Sequence, residues 1–156
     1  MAVAACAGYT VVGGFHAQQR SDLDADGWTD LPMYRRVVGR PRLFWDNGAG
    51  QSLLLALGGM AEERRGGTTP GRTAPDGRVH AENLDTRRFD GGAVWRMTTD
   101  RGQVLAVRGS ATVQHHTHTF GPVVEEDSHR TLFGEVSLTG TRNRHTWVAG
   151  AALNAD

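Results

Sequence analysis

The sequence has no lysine, a single cysteine and no long hydrophobic run, and these absences exclude several classes of protein. All 17 basic residues are arginines, and 17 acidic residues balance them. The absence of net charge gives no support to a nucleic-acid partner. A lone cysteine, Cys6, excludes an internal disulfide and a zinc site built from cysteines. No segment approaches the roughly 18 apolar residues of a membrane-spanning helix.

The remaining composition is that of one folded domain. The chain has 156 residues, of which 38% are hydrophobic and 22% charged, values that are typical of folded proteins and argue against disorder. Residues 1–14 do not show the basic segment and continuous apolar core of a secretory signal peptide. The chain is therefore predicted to begin within a strand.

Alternating side chains between Thr86 and Gln114 predict a β-hairpin. Apolar and polar residues alternate on both sides of Asp100–Gly102, where glycine can adopt the positive φ of a tight turn. In a strand, alternate residues share a face. One face is predicted to carry Phe89, Gly91, Ala93, Trp95, Met97, Leu105, Val107, Gly109, Ala111 and Val113.

Five other segments show the same alternation and extend the hairpin into a sheet. They are separated by short turns and by polar segments that predict long loops at Arg20–Gly39, Arg64–Asp85 and His115–Ser128. The sequence therefore predicts an all-β fold, an antiparallel up-and-down meander of about seven strands. The five segments are Ala7–Gln18, Pro41–Asn47, Gln51–Glu63, His129–Thr139 and His145–Asp156.

Strand length and composition favour a membrane barrel over a soluble sheet. Each predicted strand has about ten residues, the length with which a tilted strand crosses a bilayer. Trp45, Trp95 and Trp147 fall on the apolar faces, where an aromatic girdle would place them. The smallest bacterial barrels have about eight strands, so seven strands are too few to form one. We therefore interpret the chain as an incomplete segment of a transmembrane β-barrel. The alternative is a soluble all-β binding module, with calcium as a candidate stabilising ion.

Six short motifs, in their order and spacing, resemble the barrel of the TonB-dependent receptors. Residues 1–156 would then be part of that barrel, with the plug domain and signal peptide absent. The resemblance implies the outer membrane of a Gram-negative bacterium, uptake of a ferric siderophore, cobalamin or similar ligand, and no catalysis. The motifs are Ser21–Pro32 (SDLDADGWTDLP), Arg40–Asp46 (RPRLFWD), Glu63–Thr68 (ERRGGT), Thr86–Gly92 (TRRFDGG), Val107–Ser110 (VRGS) and Phe133–Glu135 (FGE).

The resemblance also implies partners and a set of functional residues. The partners are outer-membrane lipid and an imported small ligand such as a metal chelate, whereas TonB would be contacted only through N-terminal parts that this sequence does not show. No nucleic acid is implied. Charged residues on the polar face would line the barrel lumen and contact the plug, and these are Arg88, Asp90, Arg96, Arg108 and Glu135.

An aspartate-rich segment is a candidate calcium site. Asp22, Asp24, Asp26 and Asp30 alternate with other residues before and after Gly27, as oxygen ligands do in the first half of a calcium loop. The bidentate glutamate that ends a complete loop is absent. The alternative interpretation is a turn in which the aspartates accept hydrogen bonds from their own backbone.

Two histidines and one serine suggest further chemistry. His116 and His118 are two residues apart, so they share a strand face and could hold a transition metal. A surface histidine tract is the preferred interpretation, because the cluster contains no carboxylate or cysteine. A barrel enzyme would need a nucleophile next to a base. Ser110, with His129 from the neighbouring strand, is the remaining candidate for that pair.

Overall fold

The computed structural model describes residues 5–156, which form one seven-stranded sheet. The strands follow one another in the order β1-β2-β3-β4-β5-β6-β7, and every neighbouring pair is antiparallel. The predicted all-β meander of seven strands is confirmed. The strands are β1 (Cys6–Gln18), β2 (Met33–Asp46), β3 (Gln51–Gly67), β4 (Ala81–Thr98), β5 (Val104–Phe120), β6 (Val123–Arg142) and β7 (His145–Ala155).

The sheet is a single layer, so it lacks a conventional core. Among residues 5–156, Ala106 is the one buried hydrophobic residue, and even large side chains such as Tyr9 and Phe15 are more than 70% exposed. A soluble domain normally buries its apolar surface between two layers. Neither face of this sheet is covered by a second layer from residues 5–156. Within the described residues, β1 and β7 form the edges of the sheet.

The strands are longer than alternation predicts, and the predicted loop at His115–Ser128 is wrong. Those residues belong to β5 and β6, which meet at a turn of Gly121 and Pro122. The sequence pattern fails here because both faces carry polar side chains, whereas the hydrogen bonds of a ladder are made by the backbone and need no apolar face.

The other two predicted loops are also shortened by the neighbouring strands. β2 begins at Met33 instead of Pro41, and the β3–β4 connection covers residues 68–80. Pro41 lies within β2, where the pairing with β3 is interrupted at Arg40 and Pro41 because proline has no N–H to donate. The strand continues past this interruption in the same register.

The connections differ between the two ends of the sheet. At one end, which we call the loop end, are residues 19–32, residues 68–80 and the turn at residues 121–122. At the other, the turn end, every connection is short: residues 47–50, 99–103 and 143–144. Gly102 adopts φ 72°, as the predicted turn requires. The signal-peptide interpretation concerns residues 1–14, of which 1–4 lie outside the described residues.

Candidate functional site

The strand register brings the alternating apolar positions of all seven strands onto one face, the outer face. Directly paired residues share a face, and the pairs Tyr9–Leu43, Leu53–Trp95 and Val107–Val136 join apolar side chains across successive strands. We call the resulting surface the apolar band. Its larger members are Tyr9, Val11, Phe15, Val37, Leu43, Trp45, Leu53, Leu55, Leu57, Phe89, Trp95, Met97, Leu105, Val107, Val113, Leu132, Val136, Leu138, Trp147 and Leu153.

The height of the apolar band is comparable to that of the apolar band on outer-membrane barrels. On β4 the band extends from Phe89 to Met97, which at about 3.4 Å per residue spans about 27 Å along the strand. Tilting by about 40°, as in membrane barrels, reduces this to about 21 Å, close to the about 25 Å of an outer-membrane apolar band. Beyond Phe89 the outer face becomes polar at Arg87 and Asp85.

Aromatic residues lie near both boundaries of the apolar band. Toward the turn end, Trp147 covers Gly140, where an added Cβ would lie 2.6 Å from the ring. Trp45 and Trp95 flank Leu53 in one register row. The three tryptophans therefore share the outer face, as predicted.

At the loop-end boundary, Phe89 packs over the backbone of Gly59 at 3.7 Å from the position of an added Cβ. The aromatic side chain covers a strand position that has no side chain of its own. This arrangement places an aromatic residue at the second boundary, as the girdles of membrane barrels do.

The opposite face, the inner face, carries paired charges. Arg108 forms an ion pair with Glu135 and donates a second hydrogen bond to Ser137 Oγ at 3.1 Å. Asp90 Oδ2 accepts from Arg40 at 3.5 Å, and its Oδ1 lies 3.2 Å from Arg88 Nε without the alignment of a hydrogen bond. The first pair joins the neighbouring strands β5 and β6, Arg40 reaches from β2 past β3 to Asp90, and Arg88 and Asp90 both belong to β4.

The five predicted lumen residues do share the inner face, but they do not form one cluster. Arg108 and Glu135 make one pair, and Asp90 with Arg88 makes another. Arg96 forms no ion pair with any residue of 5–156, and it lies beside Phe44 and Leu54. The structure thus resolves the predicted set into two ion-paired groups and one separate arginine.

A third charged group, missed by the sequence analysis, surrounds Glu62. Its side chain is only 8% exposed, and it accepts from Arg64 Nε at 2.7 Å and from the Tyr34 hydroxyl at 3.2 Å. Arg36 Nε lies 3.8 Å away, and the hydrogen bond to Tyr34 raises the pKa of the Arg36 guanidinium. The sequence pattern predicts a loop that includes Tyr34 and Arg36, so it does not indicate that they lie beside residues of β3.

A pocket of about 320 Å³ opens at the loop end between the β1–β2 connection, residues 19–32, which we call the first loop, and β3, β4 and β5. Both signs of charge contribute to it, through Arg64, Glu82 and Asp30, together with His118. Such a mixed lining suits a polar ligand that carries donors and acceptors. The remaining lining residues are Thr29, Pro32, Gly66, Gly67, Asn83 and Leu84.

The first loop is attached to the end of β3 by backbone hydrogen bonds. Thr29 N–H donates to Gly67 O at 3.0 Å, and Thr69 N–H donates to Gly27 O at 2.9 Å. The Trp28 ring packs against the His80 ring in a tilted arrangement, with centroids 5.4 Å apart, and His80 in turn meets Phe120 edge-on at 4.9 Å. These contacts hold the loop over one side of the pocket.

The four predicted calcium ligands do not form a single group, because one of them lies apart from the other three. Asp22, Asp24 and Asp30 each present an oxygen within 4.8 Å of the others, whereas Asp26 lies outside this group. Asp22 Oδ2 accepts from the Gly27 N–H at 3.0 Å, and Asp26 Oδ1 accepts from the Trp28 N–H at 2.7 Å. These are the bonds that the alternative of a self-capped turn predicts.

Replacing Asp22 with alanine is expected to loosen this loop. The substitution leaves the partly buried Gly27 N–H without an acceptor, at a cost of about 1–3 kcal/mol. Hydrogen exchange at the Gly27 amide should accelerate accordingly, while Asp22→Asn, which keeps an acceptor oxygen, should change it little. Asp76→Ala, which removes a similar but exposed bond to the Arg78 N–H, is the matched control.

The same measurement separates capping from calcium binding. Self-capping predicts equal exchange rates in calcium and in chelator. Calcium-dependent slowing, combined with a loss in Asp22→Asn as large as in Asp22→Ala, would instead support a calcium site.

The His116 and His118 side chains do not converge on a metal site. They share the inner face, but His116 Nδ1 is 2.9 Å from Thr86 Oγ1 and its Nε2 contacts the Gln114 amide. His118 packs beside Phe120, with ring centroids 6.2 Å apart. Within residues 5–156, the one group of three potential metal ligands is the aspartate group. A transition metal bound here would therefore lack a third ligand among these residues, and both ring nitrogens of His116 are already in contact with neighbouring side chains.

The register separates the serine and histidine of the enzyme alternative. Ser110 pairs with Phe133, whereas His129 pairs with Gln114, four residues and about 13 Å further along β5. His129 Nε2 also lies 2.7 Å from Asp127 Oδ2. A direct hydrogen bond from Ser110 to His129 is therefore excluded by the pairing.

Gly58 provides the space that Asp90 occupies, which leads to a stability prediction. A Cβ at residue 58 would lie 2.5 Å from Asp90 Oδ2, so Gly58→Ala should displace the carboxylate from Arg40 and Arg88. We expect a cost of about 1–2 kcal/mol in the free energy of unfolding, measured by denaturant titration. Gly134→Ala, where an added Cβ meets nothing within 4 Å, should be neutral or slightly stabilising; equal losses in both variants would contradict the assignment.

Comparison of the chain with protein-family models, with curated proteins and with solved structures gives no match. Among residues 5–156 no helix has the length and apolarity of a membrane span. The two faces of the sheet and the pocket are therefore the features that indicate a function.

Proposed function

We propose that this sheet is part of the wall of an outer-membrane β-barrel, a segment of a TonB-dependent receptor that takes up a ferric siderophore, cobalamin or a similar ligand. The observation that carries the proposal is the apolar band. It is exposed or half-buried and continuous across seven strands, as expected for the lipid-facing side of a barrel wall. The face behind it carries ion-paired charges together with apolar side chains such as Phe44, Leu54 and Phe133.

The asymmetry of the sheet supports an orientation. Outer-membrane barrels have short periplasmic turns and longer extracellular loops, and the connections at residues 19–32 and 68–80 are all at one end. The loop end would then face the cell exterior. The pocket beside Arg64 and Glu82 lies at that end, on the inner face, where an incoming ligand would first meet the barrel.

The charges of the inner face are consistent with a barrel lumen in which no reaction is catalysed. Arg108 with Glu135 and Arg88 with Asp90 neutralise each other in pairs that remain partly exposed, so they can exchange partners with a ligand or a plug. In the receptors that the sequence resembles, TonB is reached through N-terminal parts, so no residue of this sheet is assigned a contact with TonB. The partners proposed for residues 5–156 are lipid on one face and the ligand on the other.

A lipid-dependent folding experiment tests the proposal. The full chain is diluted from urea into buffer alone or into phosphocholine vesicles, and strand content is followed by circular dichroism together with protease resistance. We expect β structure and protease-protected strands in vesicles only, because in water the apolar band remains uncovered.

The competing outcome is equally specific. A monomeric, protease-resistant β protein in buffer without lipid or detergent would favour the soluble binding module and reject the membrane proposal. A chain of similar size that folds in water serves as the control for vesicle leakage and nonspecific adsorption.

A further inference from the structure

We propose that the outer face carries a binding site for the phosphate of a membrane-lipid headgroup, formed by Arg87, His115 and Arg130 just above the apolar band. The inference depends on the proposed membrane location and adds to it a specific lipid contact. The three residues lie on adjacent strands β4, β5 and β6 at the loop end of the band.

The register brings the three side chains within reach of one anion. Arg87 pairs directly with His115, which places their Cβ atoms about 4.5–5.5 Å apart. Arg130 pairs with Val113 and is therefore the diagonal neighbour of His115, at about 7–8 Å. All three side chains are exposed on the same face, so a phosphate between them could accept from all three.

Nearby carboxylates do not neutralise these arginines. Among residues 5–156, the ion pairs include neither Arg87 nor Arg130. The nearest acidic residue on β4, Asp85, is already bound to Arg65 at 2.8 Å, and Arg65 also holds Glu63 at 2.9 Å. This distribution leaves a row of unneutralised donors.

Their height on the sheet matches that of lipid phosphate. Arg87 is two residues beyond Phe89, and Arg130 is two residues beyond Leu132, which are the last large apolar residues of the band on β4 and β6. An acyl chain lying on the band would bring its headgroup phosphate to this level. Two carboxylates, Glu126 and Asp85, lie further out and line a space of about 490 Å³ together with Arg87 and His115. The basic side chains border this space on the side of the band, and the carboxylates border it on the opposite side.

The complementary ligand is thus an acyl lipid with a phosphate close to its chains. Guanidinium groups bind phosphate through charge-assisted, often bidentate hydrogen bonds. Basic residues close to a membrane surface attract anionic lipid, with an effect of about fivefold in affinity for each residue.

Lipid binding by the folded chain in dodecyl maltoside micelles tests the site. The probes are phosphatidic acid and diacylglycerol with the same acyl chains, measured by native mass spectrometry. We expect at least tenfold preference for phosphatidic acid, a loss of about fivefold in Arg87→Gln and in Arg130→Gln, and about 25-fold in the double variant. Arg101→Gln and Arg144→Gln, exposed arginines at the turn end, are the matched controls and should bind as the wild type.

Three results would overturn the inference. They are equal retention of both lipids, equal losses in the control variants, and displacement of phosphatidic acid by millimolar inorganic phosphate, which would indicate an anion site that does not require the lipid. The circular dichroism of every variant is recorded first. A folded chain that fails to discriminate the lipids rejects this site alone, whereas a chain that folds only outside micelles and vesicles rejects the proposed function.

Discussion

Arginine in place of Ala111 is expected to destabilise the lipid-inserted sheet by about 1–2 kcal/mol. This value lies between the about 2–4 kcal/mol of a cationic side chain at the bilayer midplane and the about 0–1 kcal/mol near an interface, because Ala111 is one register row from the loop-end boundary of the apolar band. Ala111 lies in the apolar band between Gly91 on β4 and Leu132 on β6. The free energy of unfolding is measured by guanidinium titration of the protein refolded in vesicles.

The adjacent residue provides the matched control. Thr112 faces the inner side and pairs directly with Asp90, so Thr112→Arg places the same side chain near a carboxylate and water. We expect a change within about 0.5 kcal/mol for this variant. A soluble sheet, in which both positions are open to water, would tolerate both arginines, and equal stabilities of the two variants would therefore contradict the membrane assignment.

The second large effect is expected at Gly67, where the first loop meets the end of β3. Gly67 has φ 93°, and an added Cβ would collide with the carbonyl oxygen of His80. Thr68 is linked to His80 by three hydrogen bonds. Its N–H and its hydroxyl donate to His80 O at 2.8 Å and 3.3 Å, and its Oγ1 accepts from the His80 N–H at 3.1 Å. We expect Gly67→Ala to cost about 3 kcal/mol, combining the positive φ with the collision.

Hydrogen exchange reports this local cost. The Thr29 amide, which donates to Gly67 O, should exchange about 100-fold faster in Gly67→Ala, in line with a loss of about 3 kcal/mol. Gly71→Ala is the control, because Gly71 also has a positive φ, 81°, but its added Cβ would meet nothing within 4 Å. Its cost should be about 1 kcal/mol, and an effect equal to that of Gly67→Ala would show that backbone conformation alone is responsible.

Alternation was sufficient to predict the sheet but not its full extent. Around Phe89, Trp95 and Val107 one face is apolar and the other polar, so the period of two is visible and the faces follow from it. Beyond Arg87 and His115 both faces are polar, and the period disappears although the backbone ladder continues to Phe120. For this reason the sequence predicted a loop where the structure has a hairpin.

The sequence is sufficient to predict which residues lie on the inner face, but not which of them form ion pairs with one another. Strand parity placed Arg88, Asp90, Arg108 and Glu135 on one side, yet the pairing of Arg108 with Glu135 required the β5–β6 register. The Glu62 group could not be predicted because it depends on Tyr34 and Arg36 belonging to β2. Asp26 differs from Asp22, Asp24 and Asp30 only through the turn geometry around Ala25 and Gly27, both at positive φ.

Quenching of tryptophan fluorescence by brominated lipid tests the membrane assignment most directly. The chain has four tryptophans, and two variants are compared, one retaining only Trp95 in the apolar band and the other only Trp28 in the first loop, with phenylalanine elsewhere. In vesicles of lipid brominated on its acyl chains, we expect strong quenching of Trp95 and little quenching of Trp28. Equal quenching of both, or none in a folded protein, would contradict a sheet whose outer face contacts lipid.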